Sequence, residues 1–163
     1  MGRQRLIRLS IGSAVKLGLL RGRMDADPTT LYMMTYTKGG CVANCAFCSQ
    51  ARSSKAPALM LSRVTWPLFP LEEVLARIRC EDFEKSFRRI CIQALNYPKV
   101  LSDLLHIIKY IRAVSDMPIS VSCQPMAEHS IRTLAEAGVG RLSIALDAAS
   151  VAIFQEIKGK GVE

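Results

Sequence analysis

The chain has 163 residues, 50% of them hydrophobic, and a formal net charge of +8. That length supports one core and one folded domain, and that hydrophobic content excludes a disordered chain. The positive charge suits either an acidic partner or a generally solvated basic face. Nucleic acid is disfavoured, because aromatics are only 6% and no basic–aromatic interleaving is present.

In chain order, Gly2 to Met24 is basic and amphipathic, with Leu6, Ile7, Leu9, Val15, Leu17, Leu19 and Leu20 as its apolar set. It predicts one or two short helices outside the main core, so residues 1–28 read as a helical extension. Charges run throughout it, and the patch Leu17–Leu20 is too short for a signal peptide's apolar region or a membrane span. No membrane partner is expected, and a reducing cytoplasm fits six cysteines kept as thiols. Asp25 to Pro28 is a break, since proline disfavours helix at the residue before it. Leu31 to Thr37 is β-branched and aromatic and predicts a strand.

Lys38 to Gln50 follows, with Gly39 and Gly40 turning the backbone off that strand and three cysteines at spacing C-x3-C-x2-C. Arg52 to Pro70 is longer than most connections, which argues for a function. Its Lys55–Leu61 part either covers the cysteine loop or is a surface excursion. Leu71 to Arg79 predicts a helix, with Leu71, Val74, Leu75 and Ile78 on one face. Arg88 to Leu95 predicts a second strand, and Pro98 opens a helix whose face is Leu101, Leu104, Leu105, Ile108 and Ile111. A third strand is expected over Ile119–Gln124, and a helix over Ala127–Ala137 stopped by Gly138. A fourth strand is expected over Arg141–Asp147, then a short helix, Val151–Ile157, ended by Gly159 and Gly161. Strand and helix thus alternate four times, which argues for a parallel sheet with right-handed crossovers. The fold class is α/β, as in the first four units of a (β/α) TIM-type barrel, where functional groups collect at the C-terminal strand ends. An open doubly wound sheet competes, but no G-x-G-x-x-G follows the first strand.

Cys41, Cys45 and Cys48 carry the chemistry. Crowded thiolates repel one another, and a metal relieves this; soft thiolates select zinc, copper(I) or iron–sulfur clusters. A closed zinc site needs four ligands, whereas a three-cysteine [4Fe–4S] cluster leaves one iron open. His106 and His129 lie far along the chain, outside zinc-finger spacing. Farther on, Cys91, Gln93 and Leu95 share one side of the second strand. Cys123 lies at the end of the third, so Cys91 and Cys123 either share a site or fill core space. Cys80 has no assigned role.

The loop resembles the signature of the radical S-adenosylmethionine (SAM) enzymes, including the aromatic before the third cysteine, here Phe47. The resemblance implies a [4Fe–4S] cluster on Cys41, Cys45 and Cys48, SAM chelated at its open iron, and Phe47 against the adenine. Core packing is the other reading of Phe47. Arg89-Ile90-Cys91-Ile92-Gln93-Ala94 and Val121-Ser122-Cys123 look like segments of the branch containing biotin synthase and the archaeal split lipoyl synthase. There, such cysteines bind an auxiliary iron–sulfur cluster that gives sulfur to the substrate. The same branch implies Gln93 and Ala94 near the methionine amino group of SAM, and Asp147 of Leu146-Asp147-Ala148-Ala149 on the ribose. The other reading of Asp147 is a helix cap. The branch's asparagine two positions earlier is Ala145 here.

The resemblance makes residues 29–163 a truncated radical SAM barrel, since the family barrel needs at least two more strands. It implies generation of a 5′-deoxyadenosyl radical, with sulfur insertion into an unactivated C–H bond as in lipoyl or biotin synthesis. No side-chain general base is required. Expected partners are a low-potential donor of the ferredoxin or flavodoxin type, a second chain completing the barrel, and an acidic carrier protein. The alternative is a catalytically incompetent iron–sulfur or zinc protein that keeps the loop.

Overall fold

The computed structural model describes residues 5–158. The elements run β1 (Leu6–Leu9), α1 (Ile11–Lys16), β2 (Thr30–Met34), β3 (Met60–Leu61), β4 (Val64–Thr65), β5 (Leu68–Pro70), α2 (Leu71–Ile78) and α3 (Phe83–Ser86). They continue with β6 (Arg89–Gln93), α4 (Val100–Arg112), β7 (Ile119–Ser122), α5 (Glu128–Glu136), β8 (Val139–Ser143) and α6 (Val151–Lys158). Six strands form one sheet in the order β5-β1-β2-β6-β7-β8, and β3 and β4 form a separate hairpin. β2, β6, β7 and β8 are parallel neighbours, as four successive βα units of a barrel require.

The N-terminal segment departs from the expected helical extension. Leu6–Leu9 is a strand, antiparallel to both β2 and β5. Its residues alternate, so Ile7 and Leu9 are fully buried on the core side while Leu6 and Arg8 stay partly exposed. Only Ile11–Lys16 is helical, started by Ser10, whose hydroxyl accepts from the Ser13 amide.

The two faces of the sheet differ. Leu31, Met33, Ile90, Ile92, Ile119 and Val121 face the helices and are at most 1% exposed. Val74 and Ile78 of α2, Leu134 of α5, and Leu104, Ile107, Ile108 and Ile111 of α4 cover them. Ile107 replaces Leu101 and Leu105 at the centre of the α4 face, and those two leucines pack at its margin. Each such side chain taken from water contributes roughly 1.5–3 kcal/mol. The opposite face carries Tyr32, Met34, Cys91, Gln93, Ser120, Ser122 and Ser143, in register from strand to strand.

The turns aim the strands. Gly138 sits at φ 100° between α5 and β8, where a Cβ would come 2.7 Å from Nε of Arg112. Arg112 fills that space and donates to the carbonyls of Gly138 (2.7 Å) and Met117 (2.9 Å). β8 therefore begins directly after the glycine, two residues earlier than expected, and Asp147 falls in the loop beyond it. Gly159 and Gly161 lie outside the described residues. After β8, Ile144 and Leu146 of the following loop and Val151 and Ile153 of α6 are exposed, Leu146 by 90%.

Candidate metal and cofactor site

The cysteine loop leaves the C-terminal end of β2. Gly40 supplies the left-handed turn (φ 69°), and its amide donates to Thr37. The Val42 amide donates to the Asn96 carbonyl at 2.8 Å, tying the loop to the end of β6. Thr35, fully buried, joins the same strand ends: its amide donates to Gln93 O and its hydroxyl accepts from Leu95 N at 2.9 Å. Within the loop, the Cys48 amide donates to Cys45 O, and Asn44 Oδ1 accepts from the amide and hydroxyl of Ser53. The connection after the loop is held to it, because Ser49 and Gln50 both donate to the Met60 carbonyl. Leu61 thereby reaches the site, whereas Lys55 to Ala58 stay exposed.

Cys41, Cys45 and Cys48 line one cavity of about 310 Å³, with Phe47, Gln93 and Ala94 on its walls. Cys123, Asp147 and Lys158 line it too. The donor set fits a thiolate-held group. The three loop cysteines line one space, and Cys48 senses the charges of Cys45 and Cys41. Burial pushes the Cys48 thiol up from its ordinary value, and the charges of Cys45 and Cys41 push it further, against amide hydrogen bonds that lower it. Among the described residues, no three His, Cys, Asp or Glu side chains are gathered as a site for a metal ion.

The other predicted residues fall out unevenly. Phe47 is 66% exposed and is no core residue. Asp147 does not cap α6; the Ser150 hydroxyl accepts from the Ile153 amide instead. Asp147 forms an ion pair with Lys158, whose ammonium also lies 5.6 Å from the Phe47 ring centroid. Burial alone would lower the Lys158 pKa, but Asp147 and Cys45 outweigh it and leave it raised. Gln93 and Ala94 are partly committed: Gln93 O accepts from Thr35 N, and Ala94 N donates to Ser122 O.

Strand register does not set Cys91 and Cys123 opposite each other. Cys91 pairs across the strands with Ser120, so Cys123 stands three residues, about 10 Å, farther along. Cys91 faces the inner side, where Gln93 Nε2 donates to its sulfur at 3.3 Å and Ser122 Oγ lies 4.0 Å away. Cys123, just beyond β7, packs with the main core and also lines the cavity, with its thiol pushed up by burial. Cys80 is exposed, its thiol donating to Ala76 O.

Lys158 was not legible as a site residue. Its one signal is position, four residues after Phe154 on a helix that also places Ile157 toward the loop.

The fold and site together define an α/β partial barrel whose strand ends carry a cavity lined by loop thiols. The chain belongs to the Radical SAM superfamily, which matches residues 35–162. Membership implies a [4Fe–4S] cluster and SAM as cofactors. Among solved structures, the chain is similar to the crystal structure of HydG, a maturase of the [FeFe]-hydrogenase, with a TM-score of 0.60 and 17% identity. That likeness covers 82% of this chain and 28% of HydG, so the chain spans well under a third of that relative's length. At this identity it speaks to the fold, a partial radical SAM core. No curated protein matches the chain. Among the described residues, no helix is long and apolar enough to cross a membrane.

Proposed function

We propose that the chain is a radical SAM enzyme, or the part of one that holds the cluster and cofactor. The observation that carries this reading is the single cavity lined by Cys41, Cys45 and Cys48 at the C-terminal end of the parallel strands. Bound there, cluster and SAM supply reductive cleavage of the sulfonium to a 5′-deoxyadenosyl radical, which takes hydrogen from an unactivated carbon. The protein's part is ligation, orientation and exclusion of water. The three thiols hold the cluster, and Phe47 offers its exposed ring to the adenine. Asp147 offers carboxylate oxygens to the ribose hydroxyls. Gln93 and Ala94 line the wall toward the methionine end, and Leu61 with Met34 closes the cavity on its apolar side.

Sulfur insertion, as in lipoyl or biotin synthesis, is the favoured subtype. Its support is Cys91, an inner-face thiol held by Gln93 and set deeper than the loop. Cys91 serves the sulfur source without Cys123 as its partner ligand. The place of β8 at the end of the sheet, with exposed apolar side chains in the loop and helix after it, supports further strands or a second chain completing the barrel. The charge of +8 supports an acidic reductant of the ferredoxin or flavodoxin type, or an acidic carrier protein. A reducing cytoplasm suits six free cysteines.

The test is anaerobic incubation of the iron- and sulfide-loaded protein with dithionite and SAM. The reading expects 5′-deoxyadenosine. Zinc in place of iron, or iron without SAM cleavage, refutes it and favours a non-catalytic metal protein.

A further inference from the structure

We propose that Lys158 is a positioning residue of the cysteine-loop site: its buried ammonium clamps α6 onto the loop and stands as the loop's counter-charge.

Lysine side chains are almost never fully buried unless paired. Lys158 is 3% exposed, and its partners come from separate stretches of chain. Asp147, in the turn after β8, takes the ion pair. Phe47, in the cysteine loop, receives the ammonium over its ring. Cys45, which lines the same cavity, acts on that ammonium electrostatically. The backbone repeats the joint one residue away, because the Ala46 amide donates to the Ile157 carbonyl at 2.8 Å. Ala46 stands between Cys45 and Phe47, and Ile157 directly precedes Lys158. Side-chain and backbone contacts therefore form one clamp between α6 and the loop.

Among the cavity's described lining residues, Lys158 is the one cation and Asp147 the one carboxylate. Removing the ammonium would leave Asp147 an uncompensated, mostly buried charge. It would also leave Phe47 without its contact and the loop without its side-chain link to α6, so that the Ala46–Ile157 hydrogen bond stands alone. A positive charge beside Cys45 favours whichever redox state of a thiolate-held cluster is more negative, which is the reduced one. This second consequence rests on the cluster reading above; the clamp does not.

Two variants separate charge from bulk. Lys158→Met removes the charge at similar length, and Lys158→Arg keeps it. In the cluster-free full chain, hydrogen exchange at the Ala46 amide reads the clamp directly. Protection should fall at least about tenfold in Lys158→Met and stay within about threefold of the parent in Lys158→Arg. Should Lys158→Met not fold, Asp147→Asn removes the partner instead and should give the same loss. In the anaerobically loaded protein, the cluster midpoint should shift to more negative potential in Lys158→Met and hold in Lys158→Arg. Unchanged Ala46 protection in both Lys158→Met and Asp147→Asn overturns the clamp. An unchanged potential at full iron and sulfide content overturns the counter-charge. A parent chain that takes up no cluster refutes the cofactor reading instead, and the exchange data still decide the clamp.

Discussion

The two faces of the sheet teach different lessons. Toward the helices, Leu31, Met33, Ile90 and Ile92 are fully buried and meet the apolar faces of α2 and α4. Toward the inner side, β2, β6 and β7 present Tyr32, Cys91, Gln93, Ser120 and Ser122, and their ends open into the thiol-lined cavity. Strand alternation makes this division possible, since one residue serves packing and the next is free for chemistry. The packing that carries stability thus resides on the outer face, and the proposed cofactor handling on the inner face and strand ends.

The sharpest way to break that division is a loop cysteine. Cys45→Ala should lower iron and sulfide uptake to background and abolish SAM cleavage, while thermal unfolding of the cluster-free protein changes little. A comparable loss of cluster-free stability would merge the two roles. Next in size is Leu104→Ala in α4, fully buried on the outer face. It should cost about 3 kcal/mol in denaturant unfolding, whereas Ser122→Ala on the inner face should stay within about 1 kcal/mol. Similar costs for both would contradict the division. Cys91→Ala should spare 5′-deoxyadenosine formation and abolish sulfur transfer; equal loss of both activities would remove Cys91 from the sulfur source.

The smallest effect is pH-dependent. Burial raises the Cys48 and Cys123 thiols above the ordinary value of 9.0. The unfolded chain therefore releases these protons at lower pH than the folded one. Their contribution to cluster-free stability is whole below about pH 9 and is lost as pH rises from there through the folded values. Urea titrations across that range should show the decline in the parent and a shallower one in Cys48→Ala.

Much of this was legible in the sequence. The apolar repeat of Leu71, Val74, Leu75 and Ile78 marks α2 because helical periodicity survives any tertiary context. The parallel strands β2, β6 and β7 are short, largely apolar runs bounded by breaks, with β-branched residues in β6 and β7. The thiol loop stands out because three cysteines so close together are chemically costly without a metal. The failures have identifiable causes. Leu6–Leu9 is too short for its alternation to outweigh the basic amphipathic stretch around it, and its pairing with β5 is set by residues 60 to 64 positions away. The expected meeting of Cys91 and Cys123 depended on inter-strand register and pleat side, and Ser120 holds the matching place. Lys158 sits in the last helical turn, where a lysine ordinarily compensates the helix dipole in solvent. Its burial depends on Asp147 and Phe47 folding back to meet it.

The most direct measurement of the central claim is metal and acid-labile sulfide content per chain after anaerobic loading, with alkylation of Cys41, Cys45 and Cys48 followed by mass spectrometry. The account predicts about four irons and four sulfides in the loop cluster, with all three thiols protected. Iron-free protein whose three loop cysteines alkylate at the same rate before and after loading would contradict it.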